Sequence, residues 1–175
     1  MALPRSARRG VVVVRLGLAE TRHLHQVREV LEGLAAGLCA ATASASLIGE
    51  LSAALDAQDD AIVASDPLGY AETDSRFHSL IAQACGNPML ARLIERLHDQ
   101  MQVALVQAAE SPEHRGHGHE ELGAVLTAIR QRDAAAAERA MRAHIARTRG
   151  QLNGEHVADQ VIDDGQAGAA GWAPR

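Results

Sequence analysis

Apolar residues recur every three or four positions along most of the chain between residues 20 and 149, the spacing that places side chains on one face of an α-helix. The pattern predicts six helices, separated by short stretches that are polar or contain glycine and proline. On the first helix, over about residues 20–42, the predicted inward stripe consists of Leu24, Val27, Leu31, Leu34, Ala35 and Leu38. The third helix is predicted to end at Gly86 and Asn87, because both tolerate a left-handed backbone, and the fourth to begin at Pro88. Six helices with short connections favour an antiparallel all-α bundle.

The two ends and one internal stretch depart from this pattern. The stretch from Glu110 to Gly118 is predicted to be a loop, because it contains one proline and two glycines among its histidines. The sixth helix is predicted to run to about Arg149, and the Gly-, Ala- and Asp-rich residues after it to form a disordered tail. Four consecutive valines predict one short strand near the start. We therefore divide the chain into a strand-like segment at 1–18, a helical domain at 19–150 and a tail at 151–175.

The composition supports this fold class and limits the function. The chain has 35 alanines, no lysine and three aromatic residues, so its core must be aliphatic, and alanine and leucine favour helices. The net charge of −5 argues against self-sufficient binding of duplex DNA, although residues 1–18 carry four arginines and no acid. Cys39 and Cys85 fit no disulfide or metal motif, and we expect both in the core of a protein in a reducing compartment. No stretch is long enough to span a membrane, so we expect a cytoplasmic protein.

Four polar residues fall on stripes that should be buried, and they are the candidates for chemistry. Asp74 and His78 share one face of the third helix, His144 faces inward on the sixth, and Arg28 lies on the first. The carboxylate and the two imidazoles could form a cluster suited to zinc, nickel or manganese. The alternative is a local Asp74–His78 pair, with His144 at the surface or bonded to a helix carbonyl. Arg28 could likewise form an ordinary surface pair with Glu32, worth about 0.3 kcal/mol.

Motifs for the common enzyme classes are missing from the sequence. It contains no phosphate-binding glycine loop, nucleophile elbow, HExxH or EF-hand pattern. A metal-dependent hydrolase would need a further carboxylate or histidine as general base beside the cluster, and none is evidently placed there. We therefore expect a protein that is not an enzyme.

Five short segments, in this order, resemble the FadR-type C-terminal effector-binding domain of GntR-family transcription regulators. They are Val27 to Gly33, Asp74 to His78, Gly86-Asn87-Pro88, Ala128 to Asp133 and Ala140 to His144. The resemblance covers about residues 20–149. Residues 8–13 resemble the last strand of a winged helix-turn-helix and its linker, so segment 1–18 would be a remnant of the wing. Most of that DNA-reading head is absent from the sequence, so the chain is either a stand-alone effector domain or part of a longer regulator.

The resemblance implies a helical bundle that binds a small carboxylate at its centre, often through a metal held by one aspartate and three histidines. Asp74, His78 and His144 match three of these ligands, but Leu122 stands at the position of the fourth. His119, three residues earlier, is a further candidate only if that turn of the helix unwinds or the helix shifts by one turn, ~5 Å. In a metal-free pocket, Arg28 would hold the carboxylate, since a guanidinium grips it through two bonds.

These expectations lead to one main function and two alternatives. The main function is an effector-sensing and dimerisation domain, expected as a homodimer, that controls DNA binding by a winged-helix head outside this sequence or supplied by a partner. One alternative is a dimerisation-only modulator whose pocket is a relic filled by Leu122. The other, less favoured, is the metal-dependent hydrolase.

Overall fold

The computed structural model describes residues 17–163 of the chain, with side chains up to residue 151, Leu18 excepted. Within this range the fold is all-α, as the sequence predicts, and no strand occurs among these residues. The six helices are α1 (Leu18–Thr42), α2 (Ala45–Val63), α3 (Pro67–Ala84), α4 (Pro88–Ala108), α5 (Pro112–Arg130) and α6 (Ala134–Asp163). The predicted strand at residues 11–14 lies outside the described residues.

Side-chain caps fix most of the helix starts. Ser44 and Asp66 accept hydrogen bonds from backbone amides in the first turns of α2 and α3. Asn87 caps α4 in the same way, directly before Pro88. Gly86 has a φ of +73°, so the turn between α3 and α4 uses the left-handed conformation that the sequence predicts there.

Two predicted boundaries are wrong. Residues 112–118 of the stretch predicted as a loop are the first part of α5, because Ser111 caps the helix, Pro112 suits its first turn, and Gly118 packs against a neighbouring helix. The sixth helix continues to Asp163 instead of ending near Arg149, since a glycine such as Gly150 weakens a helix by only about 1 kcal/mol without ending it. Residues 151–163 of the predicted tail are therefore helical, and residues 164–175 lie outside the described part.

The orientation of α1 differs in part from the prediction, although Arg28 and Ala35 are buried as predicted and Leu31 packs against the core. Four residues of its apolar face point outward and are 38–50% exposed, namely Val27, Val30, Leu34 and Leu38. The buried face begins instead with polar side chains, namely Thr21, His25, Arg28 and Glu32, and continues with Ala35, Ala36, Cys39 and Ala40. The small residues allow α1 to lie closely along α6, and the polar ones meet partners from other helices. The helix thus turns a polar face inward and an apolar face outward.

The core between the helices is aliphatic, as the composition predicts. Its largest members are Phe77, Leu51, Ile81, Ile94, Met101, Leu122, Ile129, Met141 and Ile145. Both cysteines are free and buried. Within residues 17–163, none of the helices combines the length and the apolar composition needed to cross a bilayer.

Candidate functional site

A cluster of ionisable side chains lies buried at the centre of the bundle. Its members are His25, Arg28 and Glu32 from α1, Asp74 and His78 from α3, His98 from α4 and His144 from α6. Burying so many ionisable groups is costly unless each finds a partner of opposite charge or a hydrogen bond. The contacts within the cluster therefore show what the site can bind.

The three residues predicted as metal ligands are brought together. Asp74, His78 and His144 are all buried, and one ligand atom of each lies within 4.8 Å of the others. The rings of His78 and His144 have centroids 5.3 Å apart, and His78 Nε2 lies 3.8 Å from Asp74 Oδ2. One oxygen and two nitrogen donors fit zinc, nickel or manganese. We call these three residues the metal triad.

His144 is held by Glu121 of α5. Its Nδ1 lies 2.9 Å from Glu121 Oε2, so Nε2 is the ring nitrogen left for a metal. Burial lowers the pKa of His144, although the hydrogen bond to Glu121 opposes this, and a neutral imidazole is the form that ligates metals. The expectation that His144 lies at the surface or bonds to a helix carbonyl is therefore wrong.

Glu32 is the centre of the contacts on the other side of His78. Its Oε1 accepts a hydrogen bond from Arg28 Nε at 2.5 Å and lies 3.0 Å from His98 Nε2. Its Oε2 lies 2.5 Å from His78 Nδ1, a close contact that is not aligned as a hydrogen bond. Burial would raise the pKa of Glu32, but Arg28 and the two histidines hold it well below its usual range. The Arg28–Glu32 pair is therefore real but buried, and the expected surface pair is wrong.

Glu32, His78 and His98 form a second group with metal-ligating atoms. Glu32 is already paired with the positively charged Arg28, and this guanidinium would repel a divalent cation bound to Glu32. Asp74, in contrast, has Gln58 as its hydrogen-bond partner, with Nε2 3.4 Å from Oδ1. The metal triad is thus the better cation site, and Glu32 faces the ring nitrogen of His78 that points away from Asp74.

The structure does not bring His119 into the metal triad. His119 Nδ1 lies 3.1 Å from Gln58 Oε1, so it reaches Asp74 only through Gln58. Leu122 is fully buried in the apolar core, one turn further along the same helix. The one-turn shift that would make His119 a ligand is not present.

Sequence reasoning missed His25, His98 and Glu121. His98 lies at helical spacing between the buried residues Ile94 and Met101, a signal that could have found it. It also lines a cavity of about 90 Å³ between α3 and α4. Burial, followed by the charge of Arg28, lowers the pKa of His25 to about 3. Finding His25 would have required treating the polar face of α1 as the inner one.

The comparison with known families gives this site its context. The family profile of the FCD domain matches residues 23–147. The chain belongs to the FCD-domain family. This confirms the resemblance to the C-terminal domain of GntR-family regulators, which are a family of transcription regulators and not of enzymes.

Individual relatives agree with this assignment. The transcriptional repressors NanR of Cronobacter sakazakii and of Citrobacter rodentium are 29% and 30% identical over 125 residues, which is 70% of this chain and 47% of each repressor. Streptococcus agalactiae GntR has a similar structure, with a TM-score of 0.66 and 25% identity over 75% of this chain and 58% of that protein. E. coli McbR/YncC shares the fold at a TM-score of 0.73 and 19% identity, over 81% and 71% of the two chains. The chain spans about half the length of the curated relatives it matches.

Proposed function

We propose that this FCD domain senses a small carboxylate through a divalent cation held by Asp74, His78 and His144. The observation that carries the proposal is the metal triad, which is three buried ligands from two helices at the centre of the bundle. A bound zinc, nickel or manganese ion would act as a Lewis acid that holds a carboxylate oxygen of the effector. The chain's own residues fix the ligands, because Glu121 orients His144 and Glu32 faces the far side of His78.

Arg28 would be the second group that holds the effector. Its Nε bonds to Glu32, so the terminal nitrogens are the part of the guanidinium left for a carboxylate. Because Glu32 contacts both Arg28 and His78, an effector on Arg28 and a metal on His78 would each influence the other. The buried cluster formed by these side chains of α1, α3 and α6 is therefore the proposed effector site.

The signal would leave the site through α1. This helix carries Arg28 and Glu32 on its inner face and the exposed Val27, Val30 and Leu34 on its outer face. An apolar surface of this kind is typical of a protein–protein contact, and we propose that a second copy of the chain covers it in a homodimer. An effector that binds more tightly when α1 is in one of two arrangements would then change how the two copies pack. This would change the placement of the winged-helix heads attached to the dimer in the cytoplasm.

Metal content and thermal stability test the effector site. Plasma mass spectrometry of the purified, untagged chain is expected to find about one zinc, nickel or manganese ion per chain. The ion should be lost in Asp74→Ala and in His144→Ala but kept in His117→Ala, which removes an exposed histidine. A short-chain carboxylic acid at a hundredfold excess over its Kd should stabilise the protein by ~2.7 kcal/mol and raise Tm.

The dimerisation-only alternative rests on one observation, the complete burial of Leu122 where the resemblance places a histidine. It predicts a dimer that contains no metal and whose Tm does not respond to carboxylates. A carboxylate response without metal that disappears in Arg28→Ala would instead indicate a metal-free sensor. A monomer in analytical ultracentrifugation would contradict the dimer in both versions.

A further inference from the structure

A second group of buried polar atoms lies one turn from the metal triad, on the same face of α3. Tyr70 precedes Asp74 by four residues and is almost completely buried. Its hydroxyl has no hydrogen-bond partner among residues 17–151. Leaving such a hydroxyl unpaired costs about 1–3 kcal/mol, so its burial calls for an explanation.

Arg147 of α6 brings a second unpaired donor to the same place. Its Nε donates to Glu121 Oε1 at 2.6 Å, and its Nη1 donates to Gln151 Oε1 at 2.7 Å. The third nitrogen, Nη2, is buried and has no acceptor in the described part of the chain. The guanidinium therefore has one nitrogen, Nη2, that is free to donate a hydrogen bond to a ligand.

Gly118 of α5 shows that the two donors lie close to the same point. A Cβ added at Gly118 would overlap the Tyr70 hydroxyl and would lie 3.6 Å from Arg147 Nη2. Both donors thus lie beside the same part of α5, where any side chain larger than hydrogen would collide with the tyrosine.

The two unpaired groups at this point, the Tyr70 hydroxyl and Arg147 Nη2, can both donate, so an acceptor is what they lack. The neighbouring carboxylate of Glu121 is already bound by His144 and by Arg147 Nε, so it does not supply the missing acceptor. Burial and the nearby charge of Asp74 raise the pKa of Tyr70, so the hydroxyl stays protonated and acts as a donor. A neutral donor and a cationic donor together match a carboxylate.

We propose that Tyr70 and Arg147 bind a second carboxylate of the effector, which makes the effector a dicarboxylate. This inference rests on the proposed function, in which the metal triad takes the first carboxylate. The four-residue spacing of Tyr70 and Asp74 separates their backbone positions by ~6 Å along α3, at a rise of about 1.5 Å per residue. A short dicarboxylate can span this distance.

Succinate and butyrate test the proposal, because both have four carbons and only succinate has the second carboxylate. Their affinities for the full chain with one equivalent of zinc are measured by isothermal titration calorimetry. We expect wild type to bind succinate more tightly than butyrate. Tyr70→Phe should weaken succinate binding about tenfold, the loss of one hydrogen bond to a charged group, and leave butyrate binding unchanged.

Stability measurements separate a binding role from a structural one. Removing an unpaired buried hydroxyl should leave Tm unchanged or raise it, so a loss of affinity in Tyr70→Phe would not reflect unfolding. Ser75→Ala is the matched control, because it removes another unpaired buried hydroxyl of α3 that points to a different side of the helix. It should change neither affinity.

The outcomes distinguish this inference from the proposed function. If wild type binds both acids equally and Tyr70→Phe changes neither affinity, the second carboxylate site is overturned while the sensor stands. In that case a buried water would satisfy the two donors. If wild type binds neither acid, the proposed carboxylate sensor fails and this inference fails with it.

Discussion

Replacing Glu32 with glutamine removes one negative charge from the centre of the bundle and leaves the Arg28 guanidinium without a counter-charge. In wild type the two side chains are each about 3% exposed, and Arg28 Nε lies 2.5 Å from Glu32 Oε1. Removing one partner of a buried ion pair costs roughly 3–5 kcal/mol. Because glutamine keeps an oxygen that can accept one hydrogen bond, we expect a loss of about 3 kcal/mol in the free energy of unfolding.

Glu29→Gln is the matched control on the same helix. Glu29 pairs with Arg149 at 2.5 Å, but these side chains are 26% and 27% exposed. Exposed pairs contribute about 0–1 kcal/mol, so this variant should lose far less than Glu32→Gln despite the equal distance. Urea unfolding followed by circular dichroism measures both, with EDTA present so that metal loss makes no contribution.

The pH dependence gives this prediction a second readout. The pKa of Glu32 is lowered in the folded protein, so its stabilisation is complete above its ordinary pKa of 4.5 and is lost as the pH falls. The difference between wild type and Glu32→Gln should therefore shrink below about pH 4.5. Adding Arg28→Met to Glu32→Gln should recover part of the loss, because it removes the uncompensated charge. Equal losses in Glu32→Gln and Glu29→Gln would refute the reasoning.

Three further predictions concern other parts of the cluster. His25 has a folded pKa of about 3 against an ordinary 6.5, so stability should fall as the pH drops from 6.5 towards 3, and His25→Gln should flatten this fall in pH-dependent melts. Gly118→Ala should lower Tm in wild type but much less in Tyr70→Phe, where the added Cβ would lie 3.6 Å from Cζ; equal effects would contradict the contact. Leu122→His should tighten zinc binding about tenfold by adding a ligand. It should also destabilise the metal-free protein by about 1–3 kcal/mol, and an unchanged zinc affinity would count against the metal triad.

Local signals explain which parts of the fold could be predicted from the sequence. The turn at Gly86 and the start of α4 at Pro88 follow from the backbone preferences of two residues, and both are found where expected. The start of α5 was not predicted, because its glycines suggest a loop, whereas in the structure Gly118 packs against Tyr70 of a neighbouring helix. Helix propensity gives the free-energy cost of placing a glycine in a helix. It contains no information on the tertiary contact that outweighs this cost.

The candidate site shows the same limit. Asp74 and His78 could be paired from the sequence because they lie on one helix, and His144 was found because it falls on a buried stripe. The partners His98 and Glu121 come from other helices, and their distances to Glu32 and His144 depend on how the helices pack. Spacing along one helix cannot supply that information.

The face of α1 that is buried matters for the proposed function. Periodicity identifies two faces of α1 but does not show which one points inward. An apolar face is normally the buried one, and that rule selects the wrong face here. The polar face can be buried here because Glu32 meets Arg28, His78 and His98, which come from three different helices. The inner face of α1 is therefore polar and held by ion pairs, whereas its outer face exposes valine and leucine. One helix thus connects the buried cluster with an apolar surface. A ligand that changes these ion pairs acts on the same helix that carries the apolar face. In the proposed homodimer, α1 is therefore the element through which binding would reach a second copy of the chain.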